Sequence, residues 1–248
     1  MVLSKIKEVW RETRQAILPF RVDQQYAAYK KYVYYQSIRQ GNKGLRSFSP
    51  FDEKKCIFIH IPKNGGMSVA KGIFGDQLLG GHYCAEFFKI VYKDCFDTYF
   101  KFAVARNPWD RLVSAYEFLK SGGMFEGDRR WAEKHLSGCS SFHDFVVHWV
   151  TPLNIYKGLH FIPQHEFVCS KRGKLLIDYV GKLEQVNETY AHIRNKLGLP
   201  EEAAPLVNRS RRQRDYRGYY TDATAAKVAE IYSDDIELFG YTFDGEYS

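Results

Sequence analysis

From residue 54 onward, short apolar runs alternate with stretches whose apolar residues recur every three or four positions. The apolar runs, rich in Ile, Phe and Val, are typical of buried strands and cover residues 55–61, 99–105 and 175–183. The other stretches predict helices over residues 67–75, 109–119, 141–150, 187–197 and 221–238. Strands that alternate with helices are typical of an α/β fold, so we expect helices to flank a central, mainly parallel sheet.

The first 50 residues have a different pattern. Four apolar residues (Ile6, Val9, Trp10 and Ile17) fall on one helical face, and a basic, tyrosine-rich stretch follows them (Tyr26, Tyr29, Tyr32, Tyr34 and Tyr35). Interleaved aromatic and basic residues can form a nucleic-acid surface, but an amphipathic helix that packs on the main domain or on a partner subunit is the commoner structure. We therefore expect a helical basic arm over residues 1–50, through which a homo-oligomer can form, and a main domain over residues 51–248.

Composition narrows the class of partner. Lys and Arg outnumber Asp and Glu by 36 to 29, which gives a net charge of +7 and a pI near 9.0. A basic surplus indicates an anionic partner, such as a nucleotide, a nucleic acid, an acidic glycan or a membrane surface. Aromatic residues make up 16% of the chain, so disorder over most of its length is excluded.

The sequence also predicts where the protein is found. Its five cysteines form no CxxC pair and have no regular spacing, which favours a reducing compartment over a disulfide framework. The charged N-terminus lacks the apolar centre of a signal peptide, and no run of eighteen apolar residues predicts a membrane span. We expect a soluble, cytoplasmic protein.

The first candidate site is the segment IFIHIPKNGGMSV, residues 57–69, which reads as a strand, a loop and the start of a helix. Ligands of α/β sheets bind beyond the carboxyl ends of strands. Gly65 and Gly66 let backbone N–H groups approach an anion, while Lys63 adds a positive charge and Ser68 can cap the helix. The loop has neither the GxxxxGK[ST] order of a Walker A loop nor the GxSxG order of a nucleophile elbow. An anion-binding loop and a plain turn with an exposed lysine both remain open.

The second candidate site is the segment FAVARNPWDRLVSAYEFL, residues 102–119. Asn107 is expected to cap the helix and Pro108 to occupy its first position. Arg106 stands where the strand ends, so its guanidinium can bind a phosphate at the same sheet edge. Ser114 lies about two turns into the helix. The alternatives are a surface ion pair between Arg106 and Asp110, and a Ser114 side chain that faces solvent.

The two motifs, in this order, resemble those of the PAPS-dependent sulfotransferases, especially the carbohydrate group that includes the heparan sulfate O-sulfotransferases. PAPS is 3′-phosphoadenosine 5′-phosphosulfate. The similarity extends to residues 163–168, 179–190 and 216–243, and so covers most of residues 55–243. It implies a P-loop-like, three-layer fold and transfer of a sulfuryl group from PAPS to a hydroxyl. A carbohydrate or glycoconjugate is the expected acceptor, and PAP is the co-product.

The resemblance also implies roles for individual residues. The first loop would hold the 5′-phosphosulfate; it consists of Lys63, Asn64, Gly65, Gly66, Met67 and Ser68, and the family commonly has Thr in place of Asn64. Arg106 and Ser114 would bind the 3′-phosphate. Lys63 would also stabilise the charge that develops on the bridging oxygen during transfer.

A base is needed to take the proton from the acceptor hydroxyl, and histidine is the usual one at neutral pH. His82 follows a glycine-containing turn and is similar to the family's catalytic histidine. The alternative is a polar loop histidine without a function. His60 falls inside the predicted strand and is expected to be structural.

An arginine-rich segment lies near the C-terminus and contains Arg209, Arg211, Arg212, Arg214 and Arg217. Such a run is usually a solvated surface, and a nucleic-acid patch is the next interpretation. In the family that the chain resembles, this region forms a loop over the nucleotide, and Arg217 is our candidate for contact with PAPS. No Cys/His cluster has the spacing of a zinc site, so we expect no metal.

Two other functions remain as alternatives. A P-loop-like kinase would need a Mg²⁺-binding Ser or Thr after a GK dipeptide and a Walker B acid, and neither is evident. A non-enzymatic anion or nucleic-acid binder would use the tyrosine-rich arm and the arginine run. We expect an enzyme and no nucleic-acid partner.

Overall fold

The computed structural model describes residues 18–41, 47–75, 79–205 and 215–245. These residues divide into two compact units. The first contains the described residues up to Ala105 together with 164–205, and the second contains 106–163 and 215–245. The chain therefore leaves the first unit directly after Ala105 and returns to it at Gln164.

The first unit contains a three-stranded parallel sheet. Its strands, in the spatial order β1-β2-β3, are β1 (Cys56–Ile59), β2 (Phe100–Ala105) and β3 (Tyr179–Lys182). All four residues of β1 are buried, which accounts for its uninterrupted apolar sequence, since both faces of the strand are covered. The predicted α/β fold, with helices that flank a parallel sheet, is confirmed.

The helices are numbered here in chain order. They are α1 (Phe20–Lys30), α2 (Tyr32–Arg39), α3 (Ser49–Glu53), α4 (Gly66–Phe74), α5 (Ala85–Val91), α6 (Pro108–Lys120), α7 (Glu126–Leu136), α8 (Phe142–Asp144), α9 (His165–Val168), α10 (Val186–Lys196), α11 (Asp222–Ile231) and α12 (Ser233–Phe239). A π-helical turn, Phe145–Trp149, extends α8, and short 3₁₀ turns cover Asn154–Lys157, Leu183–Gln185 and Tyr216–Tyr219.

The tyrosine-rich stretch of the predicted arm forms α1 and α2, which belong to the first unit. Tyr35 of α2 packs edge-on against Phe87 of α5, with 4.7 Å between the ring centroids. The ring of Phe48 adds a stacked contact to Tyr35 at 6.4 Å. The amphipathic helix predicted from Ile6 to Ile17 lies outside the described residues, and the arm over residues 1–50 stays a prediction.

The second unit is built from α6, α7, α8, α11 and α12 around its own apolar core. Large buried members of this core are Trp109, Leu112, Tyr116, Phe145, Trp149 and Phe161. The predicted start of α6 is confirmed: Asn107 is the cap, its side chain accepts a hydrogen bond from the Trp109 N–H at 3.1 Å, and Pro108 is the first helical residue.

Three element boundaries differ from the sequence predictions because tertiary contacts override the local pattern. The first strand ends at Ile59, so His60 follows the strand and does not lie inside it. The third strand pairs with β2 only from Tyr179, since Leu175 forms an antiparallel bridge with Cys169. Residues 221–238 form two helices instead of one: they are separated at Tyr232, whose buried hydroxyl donates to the Phe161 carbonyl.

Two expectations from the sequence concern the state of the cysteines and the presence of a membrane-spanning helix. All five cysteines fall within the described ranges, and each is a free thiol. Within the same ranges, no helix combines the length and the apolar character that a membrane span requires.

Candidate active site

The loop between β1 and α4 has an unusual backbone. Lys63 has φ +71°, a left-handed conformation that is uncommon for residues other than glycine. Gly65, the residue that precedes α4, is also left-handed, with φ +66° and ψ 12°. The backbone N–H groups at the start of a helix have no partners within that helix and carry the positive end of its dipole. The loop thus leads into a helix N-terminus of the kind that binds anions.

Asn64 anchors this loop to the end of the sheet. Its side chain is 1% exposed, and its Nδ2 donates to the Val104 carbonyl and to Gln164 Oε1, both at 2.7 Å. Gln164 is fully buried. The Asn64 side chain therefore serves to hold the loop on β2, and a contact of this residue with an anion would have to come from its backbone.

Both glycines of the loop are closely packed against neighbouring side chains. A Cβ on Gly65 would lie 2.5 Å from Leu183 Cδ1, in the turn that follows β3. A Cβ on Gly66 would overlap the ring of His60 and would lie 3.2 Å from Phe58 Cζ. The glycines thus bring the backbone of the loop against the ends of β1 and β3.

His82 is connected to this loop through His60. His82 Nδ1 lies 2.8 Å from the His60 carbonyl oxygen, and the two rings are 4.4 Å apart between centroids. Because a carbonyl oxygen only accepts, Nδ1 must carry the hydrogen, which leaves Nε2 of the neutral ring as the basic nitrogen. The sequence predicted His82 as the base, and this tautomer suits that role.

Glu86, an acidic residue close to His82 in the sequence, has a structural role. Its Oε2 accepts a hydrogen bond from Gln25 Nε2 at 3.0 Å, and its Oε1 accepts one from the Lys171 N–H at 3.3 Å. Both carboxylate oxygens therefore link α5 to neighbouring segments of the first unit. His82 remains the better candidate for a general base.

The second motif lies at the start of the second unit. Arg106 Nε and Nη2 both bind Asp110 Oδ2, at 2.7 and 2.6 Å. The side chains are only 11% and 8% exposed, so this pair exists, as the alternative interpretation expected, but it is not at the surface. Since Nε and Nη2 both bind the same carboxylate oxygen, the pair holds the guanidinium in a fixed orientation.

The side chain of Ser114 does not face solvent. It is 8% exposed on α6, so that alternative is wrong. The neighbouring Arg111 is 2% exposed, and burial lowers the pKa of its guanidinium despite the opposing charge of Asp235. The helix thus carries several buried polar side chains, an uncommon feature for a helix that serves only to fill a core.

Arg217 is the one member of the arginine-rich segment within the described residues. Its guanidinium binds Asp215 through Nε at 2.9 Å and Nη2 at 2.8 Å, and its side chain is 44% exposed. Arg209, Arg211, Arg212 and Arg214 lie outside the described residues. A contact of Arg217 with a nucleotide stays a prediction.

The predicted site residues are divided between the units. The loop residues (Lys63, Asn64, Gly65, Gly66, Met67 and Ser68) and His82 belong to the first unit, whereas Arg106, Ser114 and Arg217 belong to the second. Sequence reasoning missed the contacts made by His60, Gln164 and Leu183. Gln164 and Leu183 fall in the segments 163–168 and 179–190, which resemble the sulfotransferases, but only the fold reveals which residues they contact.

Comparisons with known proteins give a consistent result. A sequence model described as “Sulfotransferase family” matches residues 85–242, more than half of the chain. The chain is also similar to a protein of Archaeoglobus fulgidus described as “Uncharacterized protein”, with 33% identity over 119 residues, which are 48% of this chain and 83% of that protein. No solved structure matches the chain. The matched range includes Arg106, Ser114 and Arg217 and begins three residues after His82.

Proposed function

Because this chain belongs to the sulfotransferase family, we propose that it transfers a sulfuryl group from PAPS to a hydroxyl of a carbohydrate or glycoconjugate. One observation carries the proposal: the loop that begins α4 and the histidine suited to act as a base are joined through a single residue, His60. Sulfuryl transfer needs both an anion-binding loop and a base, and the candidates for these two roles belong to the same unit.

The residues of the loop fit a phosphosulfate group. The left-handed Gly65 directs the chain into α4, whose N-terminal N–H groups and positive dipole end favour an anion. Lys63 is partly exposed and precedes this helix by two residues of loop. In the proposed complex, these N–H groups hold the non-bridging oxygens, and the Lys63 ammonium binds the oxygen that links sulfur to the 5′-phosphate.

PAPS supplies the sulfuryl group, whose bond to the 5′-phosphate oxygen breaks as the electron pair leaves on PAP. His82 Nε2 takes the proton from the acceptor hydroxyl while the hydroxyl oxygen forms the new bond to sulfur. The hydrogen bond from Nδ1 to the His60 carbonyl orients the ring and stabilises the imidazolium that results. Lys63 offsets the negative charge that grows on the leaving oxygen, an interaction that is strongest in the transition state.

We further propose that Arg106 and Ser114 bind the 3′-phosphate of the nucleotide. Asp110 holds the Arg106 guanidinium in place through contacts from Nε and Nη2. A pre-oriented guanidinium loses less side-chain entropy when it binds a phosphate. The buried Ser114 hydroxyl suits a short, directed hydrogen bond.

The test is calorimetry with PAP and AMP, which differ by the 3′-phosphate, on the wild type and on Arg106→Ala. The wild type should prefer PAP by at least tenfold, because charge-assisted hydrogen bonds contribute about 1.5–3 kcal/mol. Arg106→Ala should remove most of that preference and leave AMP binding nearly unchanged. Arg129→Ala is the matched control, since Arg129 is an exposed arginine of the same unit that binds Glu126 and Glu133.

Each outcome has a clear meaning. Equal losses of affinity for PAP and AMP in Arg106→Ala would remove Arg106 from the 3′-phosphate site. A wild-type protein that binds PAP no better than inorganic phosphate would contradict the proposed sulfotransferase activity as a whole. If the wild type binds PAP as expected, an assay of sulfuryl transfer from PAPS to a panel of oligosaccharides identifies the acceptor.

A further inference from the structure

The ring of His60 is packed on several sides within the first unit. It stacks on Phe58 with 5.3 Å between centroids and an angle of 18°. It lies 4.4 Å from the ring of His82. Its Cδ2–Nε2 edge lies so close to Gly66, the first residue of α4, that a Cβ there would overlap the ring.

The backbone of the same residue makes a second contact with His82. The His60 carbonyl accepts the Nδ1–H of His82 at 2.8 Å. His60 therefore touches the base through its ring and its carbonyl, and it touches the N-terminus of α4 through the edge of its ring. One residue thus contacts both His82 and the first residue of the helix.

His60 is itself poorly suited to be the base. The Cδ2–Nε2 edge of its ring packs closely against the backbone of Gly66. Burial, and to a smaller extent the neighbouring His82, hold the pKa of His60 well below its usual range. The ring therefore stays neutral near pH 7 and adds no charge beside the loop.

We propose that His60 is a positioning residue, which holds His82 Nε2 at a fixed place relative to the N-terminus of α4. The consequence for catalysis rests on the proposed function, in which this helix end binds the sulfuryl donor and His82 is the base. Effective catalysis requires reacting groups to be held within a fraction of an ångström, and a displacement of about 1 Å can lower the rate by about 10²-fold.

The test uses three single variants. His60→Ala removes the ring and retains the backbone carbonyl. His60→Gln replaces the ring with a flat, uncharged group of similar length, which cannot act as a base near pH 7. His192→Ala is the matched control: His192 also stacks on an aromatic ring of the first unit, Tyr179 at 4.0 Å, but it lies on α10.

For each variant, kcat, KM and the affinity for PAP are measured, with His82→Ala as the reference for loss of the base. His60→Ala should lower kcat by about 10- to 100-fold and leave the affinity for PAP within about twofold, because the ring positions the base and does not bind the nucleotide. His60→Gln should recover most of kcat, and His192→Ala should match the wild type. A His60→Ala variant with unchanged kcat would overturn the proposal. A His60→Gln variant as impaired as His60→Ala would also overturn it, since a flat, uncharged group of similar length would then fail to restore the rate.

A measurement without nucleotide separates this proposal from the proposed function. The ¹⁵N chemical shifts of the His82 ring report which nitrogen is protonated. Neutral His82 should be the Nδ1–H tautomer in the wild type and a mixture of tautomers in His60→Ala, whose smaller side chain lets residue 82 move away from the carbonyl. If this change occurs but PAP does not bind to the wild type, the positioning role stands and the proposed activity fails. A His82 tautomer that is the same in both proteins overturns the positioning role.

Discussion

At the scale of single residues, Lys63 combines a charge with a constrained backbone. Its left-handed φ of +71° is a conformation that costs a non-glycine residue roughly 1–2 kcal/mol. Glycine would avoid that cost at this position, but it would not supply an ammonium group beside α4. The presence of lysine there is consistent with a role for its side chain in transfer.

Lys63→Ala should therefore lower kcat by about 10²–10³-fold, while PAP affinity falls much less, because the charge on the bridging oxygen grows mainly in the transition state. Alanine keeps the same backbone strain, so the substitution isolates the charge. Lys89→Ala, which removes an exposed lysine from α5, is the control. If Lys63→Ala turns over at a near-normal rate, Lys63 has no part in the chemistry.

The roles of some single residues, such as His60 and Asn64, could not be derived from the sequence. The sequence predicts that His60 lies in the strand because the apolar run continues to Ile61, yet β1 ends at Ile59, one residue before His60. In the sequence, Asn64 stands where the sulfotransferases commonly have a loop threonine, whereas in the structure its side chain anchors the loop to Val104 and Gln164. In each case the partner lies far away in the sequence, and local patterns contain no information about it.

At the scale of elements, the β1–α4 loop packs against the turn that follows β3. The close approach of Leu183 to Gly65 places the turn after β3 directly on the loop. Thr189 of α10 reinforces this turn, since its hydroxyl accepts from the Lys182 N–H and donates to the Lys182 carbonyl, both at 3.0 Å. A substitution at Gly65 should therefore disturb two elements at once.

Gly65→Ala should lower the free energy of unfolding by clearly more than Gly240→Ala, and it should also weaken PAP binding. Both glycines are left-handed, but a Cβ at Gly240 meets open space, whereas a Cβ at Gly65 meets Leu183. The backbone strain alone is worth about 1 kcal/mol, so the difference between the variants measures the steric contact. Chemical denaturation of both variants checks this, and equal losses of stability would mean that the loop moves aside at no cost.

At the scale of the whole molecule, His60 links stability to pH. The pKa of His60 is lowered in the folded protein, mainly by burial, whereas in the unfolded chain it is about 6.5. As the pH falls below that value, the unfolded chain takes up a proton that the folded protein does not, so folding stability decreases. This contribution is fully present above pH 7 and is lost progressively towards the folded pKa.

The free energy of unfolding of the wild type should fall between pH 7 and pH 5 more steeply than that of His60→Gln. For one proton, the difference in slope cannot exceed about 1.4 kcal/mol per pH unit. Denaturation curves at several pH values measure it, and the variant serves as the control for every other titrating group. Parallel profiles for the two proteins would mean that His60 titrates normally in the folded state.

The amino-acid sequence by itself determined the elements whose signals are local. The buried strand before the loop, the Asn107–Pro108 start of α6 and the parallel α/β class follow from runs of apolar residues, cap chemistry and the alternation of elements. Membership of the sulfotransferase family was also visible in the order of the two motifs, and the family match over residues 85–242 agrees with it.

Only the tertiary structure decided the contacts that give these motifs their geometry. Four features depend on where the folded backbone brings two groups together: the tautomer of His82, the packing of Gly66 against His60, the close approach of Gly65 to Leu183 and the burial of the Arg106–Asp110 pair. The physical reason is that periodicity and propensity act over a few residues. Burial, hydrogen-bond partners and pKa shifts are set instead by neighbours in space, which the chain acquires only on folding.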